Sequence, residues 1–269
     1  MPDLIRTEQD GLTYFQSPQL LAYPRVRHGF FTRLGGVSTG DFASLNFRFT
    51  GDDHDKVMRN YAIAAQVLGG SEGDIVRTNQ QHTDCIEVVT EHPGEFKFAK
   101  EGAPVDALMT NVCGVILTGF YADCQLLMLY DHKVKAVAVV HAGWRGVKNE
   151  IARKTIEKMS EVYGTRPRDL ECVVGPSICR SCFETDDDVY EALSETYGEK
   201  ISDFVYRQDE KWHIDLKNIT YSSLISAGIP SYNIDISSIC PCCGDRSLWW
   251  SHRRQGNARG VHAGMIMLV

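Results

Sequence analysis

The sequence lacks the features of a membrane or exported protein. No apolar run of about 18 residues, the length needed to span a bilayer, occurs in the 269 residues. The N-terminal stretch carries Asp3, Glu8 and Asp10, and no apolar segment follows a basic start, so no secretory signal is visible. We therefore expect a cytoplasmic protein with no membrane partner.

An excess of positive charge is also missing. The chain has 28 Lys and Arg against 35 Asp and Glu, for a formal net charge of −7. Nucleic-acid binding requires a basic face, so no nucleic-acid partner is expected. No linker-like, repetitive or low-complexity segment divides the chain, which favours one domain over residues 1–269. Nothing in the sequence indicates a protein partner.

Cysteine, by contrast, is abundant. Nine cysteines in a chain without an export signal are expected to be mostly reduced thiols. The thiols are therefore candidates for metal ligands, nucleophiles or core residues rather than for disulfides.

The most informative stretch runs from Lys135 to Val147. Small and β-branched apolar residues end abruptly in His141, and Gly143 and Gly146 bracket Trp144 and Arg145. A continuous apolar run of this kind predicts a strand buried on both faces, and residues 148–163 have the spacing of a helix. His141 is therefore expected at the end of a strand, where ligands collect in α/β sheets. A core histidine is the alternative.

Alternating strand and helix patterns continue along the chain. Apolar spacing predicts a helix over residues 53–68 and strands over residues 41–49 and 126–130. The pattern indicates an α/β fold, a single domain with mixed β-sheets flanked by helices.

A glycine-rich loop over residues 34–40 follows Arg33. Its backbone amides and hydroxyls, beside a guanidinium, could cradle an oxyanion such as phosphate. The loop matches neither the P-loop nor the dinucleotide-binding fingerprint. A surface hairpin with a solvated arginine is the other interpretation.

His82, Cys124 and His141 form the first candidate site. Each stands at the polar end of an apolar segment, and Cys124 and His141 flank a predicted hairpin. Two imidazoles and a thiolate suit Zn²⁺ and leave a fourth position open. The same residues fit a second interpretation, in which Cys124 is a nucleophile activated by a histidine.

Two further groups leave alternatives open. A second cysteine group could bind a structural zinc ion, although its spacing favours small buried residues; it comprises Cys179, Cys182, Cys240, Cys242 and Cys243. A basic loop over residues 251–259 is either a solvated turn or an anion-binding element.

Eight motifs, in order across most of the chain, resemble the YfiH/laccase-domain family, also labelled multicopper polyphenol oxidase and purine nucleoside phosphorylase. They are Phe31-Thr32-Arg33 with Gly-Gly-Val-Ser, Ala43-Ser44-Leu45-Asn46, Gln80-x-His82, Asp106-Ala107-Leu108, Ala122-Asp123-Cys124, His141-Ala142-Gly143-Trp144-Arg145-Gly146, Gly175-Pro176 and Ser251-His252-Arg253-Arg254.

The resemblance implies a fold distantly similar to that of Cys–His toxin deamidases. It implies a catalytic metal, usually zinc, held by the positions matching His82, Cys124 and His141. It also implies phosphorolysis of adenosine, inosine and methylthioadenosine, with adenosine deamination as a side activity. The partners are then purine nucleosides and phosphate. Arg33 matches the candidate phosphate ligand, and we assign substrate contacts within the motifs to Arg33, Ser44, Asn46, Gln80 and Arg145.

The chain departs from the family pattern at Thr83, at Gln125-Leu126 and at Asn257-Ala258, which puts pocket shape and substrate preference in doubt. The usual zinc-deaminase pattern is absent, so a proton shuttle for deamination has to come from Asp123 or a histidine. Two alternatives remain: a metal-free cysteine hydrolase or amidase using Cys124 and His141, and a copper-dependent polyphenol oxidase. Copper is thus a possible metal, although one Cys and two His cannot hold the several coppers of a laccase.

Overall fold

The computed structural model describes residues 3–100 and 102–269. The helices within this part of the chain are α1 (Pro18–Leu21), α2 (His54–Val67), α3 (Trp144–Lys148), α4 (Ile151–Tyr163), α5 (Asp187–Tyr197), α6 (Leu216–Ser226) and α7 (His252–Gln255). The strands are β1 (Ile5–Gln9), β2 (Leu12–Gln16), β3 (Val26–Phe31), β4 (Ile75–Arg77), β5 (Ile86–Val89), β6 (Lys97–Phe98), β7 (Ala107–Thr110), β8 (Ile116–Tyr121), β9 (Gln125–Asp131), β10 (Ala136–Ala142), β11 (Leu170–Val174), β12 (Glu184–Thr185), β13 (Val205–Gln208), β14 (Lys211–Ile214), β15 (Ile234–Ile236) and β16 (His262–Leu268).

The strands form two large sheets and one small one. A seven-stranded sheet has the order β1-β2-β3-β16-β8-β4-β6, and a six-stranded sheet has the order β15-β11-β9-β10-β7-β5. Both are mixed: β4 runs parallel to β8 and β11 runs parallel to β15, whereas β9 and β10 are antiparallel. The predicted α/β class with mixed sheets is confirmed.

The two large sheets pack face to face. Along β9, Leu126, Met128 and Tyr130 point into the core between the sheets. Leu127 and Leu129 point to the opposite face, where α4 and α6 pack. The central strands are therefore covered on both sides, which explains why their sequences are continuous apolar runs rather than alternating ones.

Helix α2 covers the outer face of the seven-stranded sheet. Val57, Tyr61 and Ala64 of this helix share a core with Phe31 and Met265 of the sheet. The predicted helix over residues 53–68 is confirmed, with Asp53 as the N-cap that accepts from the Lys56 amide. The protein is thus a layered sandwich in which strands of each sheet contribute to two cores. Because the layers share their cores, we propose that residues 1–269 form one domain.

One local prediction is wrong. Residues 41–49 form no strand, because side chains of α2 replace the expected strand partner: Asn60 Nδ2 donates to Asn46 O at 2.8 Å, and Tyr61 Oη donates to Phe47 O at 2.9 Å. The predicted helix over residues 148–163 is confirmed as α4, which begins at Ile151 because Glu150, whose φ is +55°, separates it from α3.

No helix of the described residues has the length and apolar character to cross a membrane.

Candidate active site

His82, Cys124 and His141 meet at one edge of the six-stranded sheet. His141 lies in β10 opposite Leu126 of β9, and Cys124 immediately precedes β9. The hairpin of β9 and β10 therefore brings the cysteine and the histidine to the same edge, as its sequence predicts. His82 lies in the bend after β4, with a positive φ of 60°.

The three side chains are close enough to share one ion. Cys124 Sγ lies 3.7 Å from His82 Nε2, and the two imidazole rings are 4.9 Å apart in an edge-to-face arrangement. One ligand atom from each residue lies within 4.8 Å of the other two. A single metal ion with N₂S coordination fits this set, and tetrahedral coordination leaves a position open to solvent or substrate.

Asp106 organises both histidines. Its buried carboxylate accepts from His141 Nδ1 at 2.8 Å and from the amides of Gln81, His82 and Thr83 at 3.1, 3.1 and 2.9 Å. Because a carboxylate only accepts, His141 carries its proton on Nδ1 and presents Nε2 to the site. The hydroxyl of Thr83 adds a 2.7 Å bond to the same carboxylate, so this residue, at which the chain departs from the family pattern, supports the His82 bend.

The charges of the cluster are strongly coupled. Burial favours a neutral Asp106, but the bonds from His141 and Thr83 outweigh it and lower the pKa of Asp106 to about 2. Burial likewise opposes charge on His141, yet Asp106 and Cys124 raise its pKa to about 9. The two histidines lower the pKa of Cys124 to about 6 against the effect of burial. Cys124 is therefore a thiolate near neutral pH, the form that binds a metal or attacks a substrate.

Gly143 is required by this packing. A β-carbon at position 143 would lie 2.7 Å from His82 Cδ2 and 3.1 Å from Cys124 Sγ. The sequence suggests that Gly143 and Gly146 leave room for a ligand. Instead, Gly143 leaves room for the side chains of the cluster itself, and Gly146 packs beside Ile151 of α4.

A cavity of about 530 Å³ opens over the cluster. Its volume is in the range of small-molecule sites. Trp144, Phe183 and Phe120 supply aromatic walls, and Arg145, Arg253 and Arg259 line the same space. Arg259 is the most enclosed of the three guanidinium groups: its Nη1 donates to Gly260 O at 2.9 Å, while its buried Nε has no partner among the described residues.

Asp123 joins the cluster to the basic loop. It has a φ of +91°, and its Oδ2 accepts from Ser251 Oγ at 2.9 Å and from Arg253 N at 2.6 Å. Its buried Oδ1 has no hydrogen-bond partner within the described ranges. The basic loop predicted either as a solvated turn or as an anion site thus contributes Arg253 and Arg259 to the cavity wall.

Arg33 does not reach this cavity. Its Nε and Nη2 donate to Ala43 O at 3.0 and 2.8 Å, and its guanidinium lies 5.0 Å from the Trp250 ring. Two amides of the loop that could have formed a phosphate cradle are also engaged, because Gly35 N and Gly36 N donate to Ser44 Oγ at 3.1 and 3.2 Å. The loop is packed against its own chain, and these two amides are not free to bind an anion.

Three of the residues predicted to contact substrate are engaged in hydrogen bonds within the protein. Ser44 Oγ accepts from the glycine loop, and buried Asn46 accepts from Val261 N at 3.1 Å and donates to Asp52 Oδ2 at 2.7 Å. Neither residue lines the cavity. Gln80 does, but its amide bonds the Phe120 backbone at 2.6 and 2.9 Å. The fourth, Arg145, is both exposed and part of the cavity lining.

The second cysteine group is not simply core. Of its five members only Cys240 is buried, and Cys243 is exposed. Four of them, without Cys242, bring their sulfur atoms together: Cys179, Cys182, Cys240 and Cys243. The prediction that burial explains these residues is therefore wrong.

Residues 27–269 match the model of a family described as multi-copper polyphenol oxidoreductase laccase. The chain belongs to this laccase-like YfiH family. It is 32% identical, over 93% of its own length and 94% of the relative's, to a protein of Bacteroides thetaiotaomicron named purine nucleoside phosphorylase. It is 35% identical to a protein named adenosine deaminase RL5, from an unknown prokaryotic organism, over 77% of this chain and 80% of that one. The crystal structure of YlmD from Geobacillus stearothermophilus superimposes with a TM-score of 0.87 at 28% identity, covering 99% of both chains.

Sequence reasoning assigned no role to Asp106. The residue stands in one of the family motifs, and an aspartate before a short apolar run is also common in ordinary turns. The signal that could have identified it is a carboxylate at the start of a buried strand, where an ionised side chain needs several donors.

Proposed function

We propose that this protein is a zinc-dependent purine nucleoside phosphorylase that acts on adenosine, inosine and methylthioadenosine. The reaction releases the free base and ribose 1-phosphate, or the corresponding methylthio sugar phosphate, and adenosine deamination is a side activity. The observation that carries the proposal is the convergence of His82, Cys124 and His141 at the base of an arginine-lined cavity. The names of the relatives, purine nucleoside phosphorylase and adenosine deaminase, support the substrate class.

The donor set fits zinc. His141 presents Nε2 because Asp106 holds Nδ1, and the Cys124 thiolate supplies soft coordination, so the three ligands suit Zn²⁺. Bound there, zinc supplies a Lewis acid beside the reacting sugar or base. The same set accepts a single copper ion, and metal analysis decides between the two metals.

The other residues bind and orient the substrates. Trp144 and Phe183 offer apolar faces for a purine, and phosphate, an anion, is drawn to Arg259 with Arg145 and Arg253 nearby. We therefore transfer the phosphate role predicted for Arg33 to Arg259. Holding phosphate against the nucleoside in one cavity replaces a bimolecular encounter with an oriented one.

A proton has to be moved in the deamination reaction. Asp123 lines the cavity, and its Oδ1 atom has no hydrogen-bond partner among the described residues, so this carboxylate is our candidate for the shuttle. Its other oxygen is fixed by Ser251 and Arg253, which keeps the carboxylate in place.

The decisive experiment is product analysis by mass spectrometry. Metal-loaded protein is incubated with a panel of nucleosides, with and without phosphate, beside a Cys124→Ser control. Base and sugar 1-phosphate are expected only with phosphate, and inosine from adenosine is expected without it. Loaded protein that gives no phosphate-dependent base release contradicts the proposal.

A metal-free cysteine hydrolase or amidase is the second candidate, because Asp106, His141 and Cys124 also form a relay of the kind that activates a thiol nucleophile. Such a relay has no use for His82, which nevertheless lies 3.7 Å from the sulfur. Loss of one equivalent of zinc per chain in Cys124→Ser favours the phosphorylase. Activity in metal-free protein that iodoacetamide abolishes favours the hydrolase.

A further inference from the structure

We propose that Cys179, Cys182, Cys240 and Cys243 bind a second metal ion, a structural zinc in a four-thiolate site. One sulfur from each residue lies within 4.8 Å of the other three, and Cys179 Sγ is 3.8 Å from Cys243 Sγ. In a zinc tetrathiolate the metal–sulfur bonds of about 2.3 Å place neighbouring sulfur atoms about 3.8 Å apart. The cluster therefore needs only small side-chain movements to enclose an ion.

The spacing of the cysteines matches this use. The four residues form two Cys-x-x-Cys pairs, and the intervening chain separates the pairs, which hides the site from a search for local motifs. The adjacent Cys242 obscures the second pair, but its sulfur is not part of the cluster.

The fold brings the two pairs together through parallel strands. Val174 of β11 pairs with Ile236 of β15, so the chain leaves both strands at the same edge of the sheet. Beyond the strands the two segments remain joined, because Ser237 N donates to Val174 O at 2.9 Å and Ser177 N donates to Ile239 O at 3.2 Å. The cysteine pairs follow directly and face each other.

The surroundings suit a bound thiolate group. The amide of Cys179 donates to Cys240 Sγ at 3.3 Å, and such bonds favour the charged form of sulfur. The buried ammonium of Lys217 donates to the carbonyls of Ser237 and Ile239 at 2.7 and 3.0 Å, just before Cys240. Four thiolates around Zn²⁺ leave a net negative charge, which this nearby cation partly offsets.

The site is structural rather than catalytic, because four protein ligands leave no open position. Its effect is to hold together one segment that lines the cavity and one that is tied to the basic loop. The first carries Ile178 and Phe183 in the cavity wall. The second is tied to the basic loop by Arg254, whose Nη1 donates to Pro241 O and Cys242 O at 2.7 and 2.9 Å.

The test is metal content in variants of the full-length protein purified under reducing conditions. Wild-type protein should hold about two metal ions per chain, one of which Cys124→Ser removes. Cys179→Ser and Cys243→Ser should each remove the other ion, whereas Cys242→Ser, the matched control, should keep both. Variants of the quartet should also lose about 5 °C or more in Tm.

Two measurements keep the test independent of activity and of the folding of the variants. In a Cys124→Ser background, Co²⁺ should give the visible absorption of tetrahedral thiolate coordination, which only the quartet can then supply. In wild-type protein, alkylation and peptide mapping should find the four cysteines protected until a chelator removes the metal. A metal-free Cys124→Ser protein, quartet cysteines that alkylate equally with and without chelator, or a disulfide within the quartet would each overturn the proposal.

Discussion

Gly143→Ala should destroy the metal site although none of the three metal ligands is substituted. The backbone at position 143 has φ −69° and ψ 177°, a conformation that alanine adopts without strain. The new methyl group would nevertheless lie 2.7 Å from His82 Cδ2 and 3.1 Å from Cys124 Sγ. Carbon atoms in contact are normally separated by about 3.5–4.0 Å, so the His82 ring has to move by roughly 1 Å.

That displacement is large compared with the tolerance of a metal site, in which ligand distances hold to about 0.2 Å. The His82 amide is held by Asp106 at 3.1 Å, so the ring turns away from Cys124 while the backbone stays. Loss of one of three ligands should weaken metal binding at least about 100-fold, or roughly 2.7 kcal/mol. Because His82 is exposed, the metal-free protein should lose no more than about 1 kcal/mol of unfolding free energy.

The assay is metal occupancy under competition with a chelator, with urea unfolding of the metal-free protein beside it. Gly146→Ala is the matched control, since its β-carbon would make only contacts of 3.3 and 3.4 Å with Ile151 and the His141 carbonyl. It should bind metal as the wild type does. Wild-type metal affinity in Gly143→Ala would refute the packing argument and the assignment of the three residues to one ion.

Three further predictions concern binding and stability. Asp106→Asn should weaken metal affinity by about 10- to 100-fold, measured by chelator competition, because an amide nitrogen in place of Oδ2 cannot accept from the Gln81 amide or from the amide and hydroxyl of Thr83, which fix the His82 bend; unchanged affinity would remove its positioning role. Burial lowers the pKa of His28 and His262 to about 3, and each Nε2 accepts a backbone amide at 2.8 Å, so both stay neutral in the folded protein. The unfolded chain then binds more protons below its histidine pKa of about 6.5, so urea-unfolding free energy should fall by roughly 2 kcal/mol per histidine between pH 7 and 5; a flat profile contradicts this. Arg259→Gln should raise the KM for phosphate at least about tenfold with metal content unchanged, whereas Arg33→Ala should leave that KM nearly unchanged. The reverse pattern would support Arg33, as predicted from the sequence, as the phosphate ligand.

The central part of the fold could be predicted from the sequence because burial dictates it. Leu126 to Tyr130 and Ala136 to Val140 are continuous apolar runs, and only strands covered on both faces have reason to be so. The position of His141 at the end of such a run predicted its place at the sheet edge. The helix over residues 53–68 was equally visible from its N-cap and its apolar spacing.

The chain around Arg33 was not predictable in the same way. Glycines, hydroxyls and an arginine describe an anion cradle and a tightly packed loop equally well, and the difference depends on a distant helix. Asn60 of α2 accepts from Val37 N at 2.8 Å and donates to Asn46 O at 2.8 Å, so these backbone groups are satisfied within the protein. A local sequence reports which donors exist but not where their partners come from.

The same limitation explains why Asp106 was missed and why the sequence favoured small buried residues over a metal site for the cysteine quartet. Both depend on residues that flank strands distant in sequence but adjacent at one sheet edge: Cys124 precedes β9, Val174 ends β11, and Ile178 N donates to Asp123 O at 2.8 Å. The segment that carries the first two quartet cysteines is therefore hydrogen-bonded to the residue before Cys124. Loss of a metal ion from the quartet should therefore weaken the contact between the cavity wall and the side of the sheet that carries Cys124. Substrate affinity should then fall before the ion bound by His82, Cys124 and His141 is released.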